Sequence, residues 1–212
     1  MDRGSAAVID SPQGKTEQTR AALIEAGIAL FSRHGYEATS TRQIEMKAGV
    51  QRNLMTYHFG SKEAFWKAVM TQLFDAMRST LEPSIVQSQD ISPSERIRFV
   101  ARRFVRASAV MPEIGRVMLD EGRSRSWRLD WLVEGYSRPL FEALERLVGD
   151  GRRDGPDTSI KPIQFYYLLV GSATMFTMSA ECALLSGEDP LEDEMIDAQA
   201  ETIASLLTSR PG

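Results

Sequence analysis

The chain has 212 residues, a formal net charge of −4 and 42% apolar side chains, a balance that buries a core and excludes wholesale disorder. A single cysteine, Cys182, excludes an intrachain disulfide and a Cys-based zinc site, and two histidines, His34 and His58, make a His-rich metal centre unexpected.

One cysteine suits a reducing cytoplasm, and the first residues lack the apolar stretch of a secretory signal. Charge is uneven. Residues 1–70 carry nine basic and seven acidic side chains, whereas 188–201 carry seven acidic and no basic ones. An acidic chain with one locally basic face is compatible with nucleic-acid binding.

Residues 1–15, with Gly4, Pro12 and Gly14, read as a flexible arm. Thr16 is placed to cap a helix running to about His34, with Leu23, Ala26, Leu30 and Phe31 on one face. Gly35 is placed to end it with a positive φ. Ser40 to Gln43 has the form of a capping box, in which the hydroxyl accepts from the third amide and the Gln side chain reaches back. It opens a helix over Thr41 to Ala48, stopped by Gly49-Val50. A third short helix is predicted at about Gln51 to His58. Ser61 then caps a longer one from Lys62 to about Thr80, before Pro83.

Further helices are predicted at about 93–110, 113–121, 125–149, 160–186 and 190–209, with a loop over Gly149–Asp157. No segment alternates with period two, so the expected fold class is all-α. The uncharged run from Pro162 to Ala180 is diluted by Gln164, Ser172, Thr174, Thr177 and Ser179. It reads as a buried helix, and no membrane partner is expected.

The informative segment is Thr39–Glu63. Two short helices joined by a tight turn at Gly49 form the layout of a helix-turn-helix, with Ile44, Ala48, Val50 and Leu54 packing them together. If the second of these helices enters a major groove, its first residues, Gln51, Arg52 and Asn53, meet base edges with hydrogen-bonding side chains. Tyr57, His58 and Lys62 supply groups suited to phosphate oxygens.

These blocks resemble the DNA-binding region of the tetracycline-repressor (TetR) family of bacterial transcriptional regulators. The resemblance covers residues 16–63. It is carried by Ala29-Leu30-Phe31, Gly35-Tyr36, Thr39-Ser40, Arg42, Ile44, Ala48-Gly49-Val50 and above all Tyr57-His58-Phe59-Gly60-Ser61-Lys62-Glu63. It implies a homodimer on a palindromic, double-stranded operator, acting as a repressor that a small molecule in the C-terminal domain releases. It implies a DNA-facing set of Ser40, Thr41, Arg42, Gln51, Arg52, Asn53, Thr56, Tyr57, His58 and Lys62. Arg42 would read a base from the second helix. Thr56 stands where many members carry an aromatic phosphate contact, which shifts that role toward Tyr57. The domains implied are an arm (1–15), a three-helix DNA-binding domain (16–62) and a helical ligand-binding and dimerisation domain (63–210).

Plainer roles are expected for several residues. His34 suits a helix C-terminus, and Tyr36 and Phe59 suit the core. Arg42 can pair with Glu45 on the surface. Arg102, Arg103 and Arg106 read as a solvated face or interdomain contact. No glycine-rich phosphate loop and no nucleophile–base–orienter pattern is visible, so neither an enzyme nor a cofactor is expected. The alternative is a helical protein-interaction module without DNA binding or, further off, an enzyme.

Beyond residue 99 aromatic and methionine side chains are dense. Phe104, Met111, Met118, Trp127, Trp131, Tyr136, Phe165 and Met175 are the expected lining of a pocket for an unidentified small apolar effector, with Phe141, Tyr166 and Met178 as further candidates. Arg116, Arg123 and Arg128 are the candidate cations. The expected dimer surface is residues 160–209, where Gly171, Ser172 and Ala173 allow close helix approach.

Overall fold

The computed structural model describes residues 12–87, 91–154 and 161–208. Among the described residues it holds helices and no strand, the all-α class expected. The chain divides into two compact units, Met1–Leu73 and Phe74–Gly212. The division falls inside a helix, because Phe65, Trp66, Val69 and Met70 in its first turns are core residues of the first unit.

In the first unit, α1 (Pro12–Ala38) starts earlier than its predicted Thr16 cap. Residues 12–15 of the expected arm are its first turn, where a proline costs little; residues 1–11 lie outside the described residues. Gly35 breaks α1 with φ 73 and ψ 174, a conformation essentially confined to glycine, and the helix resumes for one turn. Buried Thr39 closes that turn, its hydroxyl donating to the Gly35 carbonyl at 2.8 Å. Next come α2 (Thr41–Ala48), α3 (Leu54–Phe59) and α4 (Lys62–Gln87). Ser61 caps α4, its hydroxyl accepting from the Ala64 amide at 3.0 Å.

α1 and α4 meet at Gly27. A Cβ there would lie 2.6 Å from Val69 Cγ2 and 2.8 Å from Phe65 Cζ, on side chains with no exposure. Gly27→Ala is therefore expected to destabilise the unit by about 1–3 kcal/mol through overpacking, less a helix-propensity gain of at most about 1 kcal/mol. A fall in the urea midpoint would show it; a rise would contradict the close approach.

The second unit contains α5 (Pro93–Val110), α6 (Pro112–Glu121), α7 (Trp127–Leu132), a π-helical turn (Val133–Ser137) and α8 (Arg138–Asp154). α9 (Pro162–Ser172), α10 (Thr174–Thr177), α11 (Ser179–Ser186) and α12 (Asp193–Thr208) follow. Ser92 opens α5 with a second capping box, and its hydrogen bonds hold the Glu95 carboxyl below its ordinary range. The core joins Val100, Phe104, Leu144, Phe165, Leu169 and Leu207 from α5, α8, α9 and α12. Arg102 Nε donates to Glu201 at 2.8 Å and Arg106 Nε to Asp197 at 2.9 Å, while Arg103 reaches the Thr80 carbonyl at 3.3 Å. The basic run of α5 is thus an interhelical contact, and the acidic run supplies its partners.

Several predicted boundaries are corrected. α4 continues past Pro83, anchored two residues earlier by buried Leu81. The predicted loop over Gly149–Asp157 is helical as far as Asp154; residues 155–160 lie outside the described residues. The single helix predicted over 160–186 is three pieces, with a bend of 77° between Pro162–Thr177 and Ser179–Ser186. Side chains explain the breaks. The hydroxyls of Ser172 and Thr177 donate to the carbonyls of Leu169 and Thr174 at 2.6 and 2.7 Å, competing with the helical ladder. The freed Ser172 carbonyl accepts from Gln199 Nε2 at 2.9 Å. No single helix among the described residues is long and apolar enough to cross a membrane.

Candidate DNA interface and effector cavity

The first unit holds all ten residues of the expected DNA-facing set on α2 and its Ser40 cap, the following turn, α3 and the first residue of α4. The capping box forms as expected. Gln43 Oε1 accepts from the Ser40 amide at 2.7 Å, and Ser40 Oγ accepts from the Gln43 amide at 3.3 Å. Gly49 ends α2 in the left-handed region, with φ 67 and ψ 26.

The start of the recognition helix is a correction. It begins at Leu54, and Gln51, Arg52 and Asn53 form the exposed turn ahead of it. Asn53 has φ 69 and is the non-glycine residue with positive φ among those described. Asparagine tolerates that region at low cost, so the turn residues are displayed before the helix rather than along it.

Glu45 is the residue sequence reasoning missed. Instead of facing solvent beside Arg42 it is buried, and its Oε1 accepts from the Met55 amide at 3.1 Å. Met55 is the second residue of α3, so the carboxylate satisfies an amide that the helix itself leaves open and lies at the positive end of its dipole. The one signal was its place beside Ile44 on the inward face of α2.

Tyr57 is 80% exposed, and Thr56, Arg42 and Ser40 are also exposed. Thr41, His58 and Lys62 are half-buried. Lys62 Nζ lies 4.1 Å from the centroid of Tyr36, which stacks with Phe31 and meets Trp66 edge-on. Arg20 donates to the His58 carbonyl at 3.0 Å and covers the Phe59 ring at 4.4 Å. Tyr36 and Phe59 are half-buried members of this aromatic cluster, and they hold the end of α3 and the start of α4 in place.

The second unit contains a cavity of about 900 Å³. Phe104, Met118 and Tyr136 line it as expected, with Phe141 and Tyr166. The other expected residues lie elsewhere. Phe165 is buried in the main core and Met111 packs against it, while Met175 packs against Phe176 and Ala200. Trp127 is partly exposed, and Trp131 reaches the wall only by meeting Tyr136 edge-on at 5.6 Å. The reason is helix phase: the π-helical turn, not α7's tryptophans, presents Val133, Gly135, Tyr136 and Ser137 to the cavity. Burial raises the Tyr166 phenol above its ordinary pKa, with a hydrogen bond to Ser137 opposing it. Of the candidate cations only Arg123 lines the cavity; Arg128 pairs with buried Glu121 at 2.7 Å and Arg116 with Glu113 at 3.7 Å.

A capped helix, a left-handed glycine turn and a short helix presenting exposed polar residues define a helix-turn-helix protein of the DNA-binding class. Residues 23–69 match the family described as bacterial regulatory proteins, tetR family. It is similar over 98% of its length to the HTH-type transcriptional regulator RutR of Escherichia coli K12, at 24% identity and over 97% of that protein. AibR, solved with isovaleryl coenzyme A and operator DNA, shares the fold with a TM-score of 0.71 at 18% identity, over 90% of this chain and 98% of AibR. HlyIIR, a hemolysin II transcriptional regulator, shares it at 0.69 and 21% identity, over 92% of this chain and 99% of HlyIIR. The chain is a DNA-binding transcriptional regulator.

Proposed function

We propose that the chain is a cytoplasmic, ligand-responsive repressor that binds a palindromic operator as a homodimer. The carrying observation is the exposed turn Gln51-Arg52-Asn53, displayed ahead of α3 and held there by Glu45 and the left-handed Asn53. In this reading Arg42, Gln51, Arg52 and Asn53 read bases, while Ser40, Thr41, Thr56, Tyr57, His58 and Lys62 hold the phosphates.

The occupant of the apolar surface on α9, α11 and α12 is a second copy. Leu184 and Leu185 are 88% and 82% exposed, and Tyr167, Leu168 and Leu206 are exposed as well. Such side chains left in water favour association. Paired, two α3 helices roughly 34–36 Å apart meet successive major grooves. The double variant Leu184→Glu/Leu185→Glu is expected to sediment as a monomer and to lose operator binding. A monomeric variant that binds the full palindrome as tightly as the unaltered protein would defeat the dimer reading.

The cavity is the effector site in this reading, and AibR, solved with ligand and operator DNA, is a fold-level precedent. An effector acts only by preferring one arrangement of the recognition helices. Selection of bound sequences from random DNA, followed by gel shifts with and without effector, tests the whole reading. Coupling should be roughly 5–150-fold and reciprocal, so operator DNA must weaken effector binding by the same factor. Failure to enrich any palindromic sequence would refute it.

A further inference from the structure

We propose that the effector is an amphipathic organic anion, its apolar body inside the cavity and its acidic head held at the mouth by Arg78, Arg123 and Arg138. The proposal rests on the reading of this cavity as the effector site. Among the described residues its wall contains three arginines and no aspartate, glutamate, lysine or histidine, in a chain whose net charge is −4. The three come from separate segments: α4, the loop after α6, and the start of α8.

Each arginine has a carboxylate neighbour three or four residues earlier: Asp75 at 3.1 Å, Asp120 at 3.9 Å and Glu134 at 2.7 Å. None of these acids lines the cavity. The three arginines therefore line the space, and the acids paired with them do not. All three side chains are at least half exposed, which puts them where the cavity meets water. An acidic head there keeps part of its hydration and avoids the cost of burial.

Elsewhere on the wall Phe74, Leu81, Phe104, Met118, Val133 and Phe141 offer apolar contact, and the hydroxyls of Tyr136, Ser137, Tyr166, Tyr167, Thr174 and Thr177 are uncharged. A cationic head would meet three arginines and no acid on the described wall itself. Guanidinium groups suit carboxylate and phosphate alike by paired N–H donation. Two sources supply such an anion: a free fatty carboxylate, and the fatty acyl thioester of a phosphorylated carrier.

The test uses the full chain and its tryptophan fluorescence, since Trp131 packs on Tyr136 of the wall. The probes are dodecanoate, dodecanoyl-coenzyme A, 1-dodecanol and dodecylamine, below their micelle concentrations. At least one anion should bind about tenfold or more tighter than the alcohol, with the amine weakest. Tight binding of the carboxylate alone points to the free acid; tight binding of the thioester alone points to the carrier form. The triple variant Arg78→Gln/Arg123→Gln/Arg138→Gln should erase the preference and keep the alcohol's affinity. Equal affinity for dodecanoate, its thioester and dodecanol, all abolished by the cavity-filling Ala143→Phe, would overturn the anion proposal and leave the cavity reading standing. Binding unaffected by Ala143→Phe, or no binding by any probe, would overturn both. Unchanged helicity and operator binding establish that Ala143→Phe is folded.

Discussion

Asn53→Gly is expected to leave the helix-turn-helix folded and to weaken operator binding by about 1–3 kcal/mol, with little change on random DNA. Glycine is the informative replacement because Asn53 has φ 69. Alanine at that position adds a backbone cost of about 1–2 kcal/mol in the left-handed region, so Asn53→Ala should lose stability as well as discrimination. Arg42→Ala, on an exposed position of regular helix, should lose discrimination alone. Lys62→Ala should instead weaken all sequences alike and reduce the salt slope by about one unit. Anisotropy titrations on operator and scrambled duplexes at several salt concentrations separate these behaviours. Equal losses on both duplexes for Asn53→Gly and Arg42→Ala would remove those residues from the reading set.

Glu45→Ala is expected to destabilise the first unit by about 1–3 kcal/mol, because it leaves the buried Met55 amide without its acceptor. Operator affinity should fall with it, since the same hydrogen bond ties α2 to the start of α3. Glu45→Gln keeps an uncharged acceptor. It should recover most of the stability, short of the helix-dipole contribution of about 0.3–1 kcal/mol. Urea unfolding compares the three proteins. An alanine variant as stable as the unaltered chain would show that Glu45 only fills space.

Local chemistry was the part most legible in the amino-acid sequence. Ser40 and Gln43 satisfy each other within four residues, Gly49 needs only its own freedom to turn, and Ser61 caps without distant help. What tertiary contacts decide was not legible. Glu45 looks like a surface acid until α3 packs on it. The helix over 160–186 looks continuous until Gln199, from another element, captures the Ser172 carbonyl. Cavity residues were the hardest to place, because a wall depends on helix phase: Tyr136 faces the space while Trp127 and Trp131 do not line it. Nothing local in the sequence marks Arg78 or Arg138, and only the fold brings them to one cavity wall with Arg123.

The π-helical turn has a consequence for how this protein can change over evolutionary time. The Arg138 amide donates to the Val133 carbonyl, so Val133–Ser137 holds one residue more than a regular turn would. Loss of a single codon there would relax the segment to ordinary helix while α7 and α8 kept their faces, so the change would be confined to the side chains the turn itself presents. α8 would keep Leu144 and Leu147 in the core, while a different set of side chains replaced Tyr136 and Ser137 on the wall. Length variation at this one turn is thus a shorter route to a new chemical specificity than stepwise substitution, and it spares the DNA-reading unit altogether.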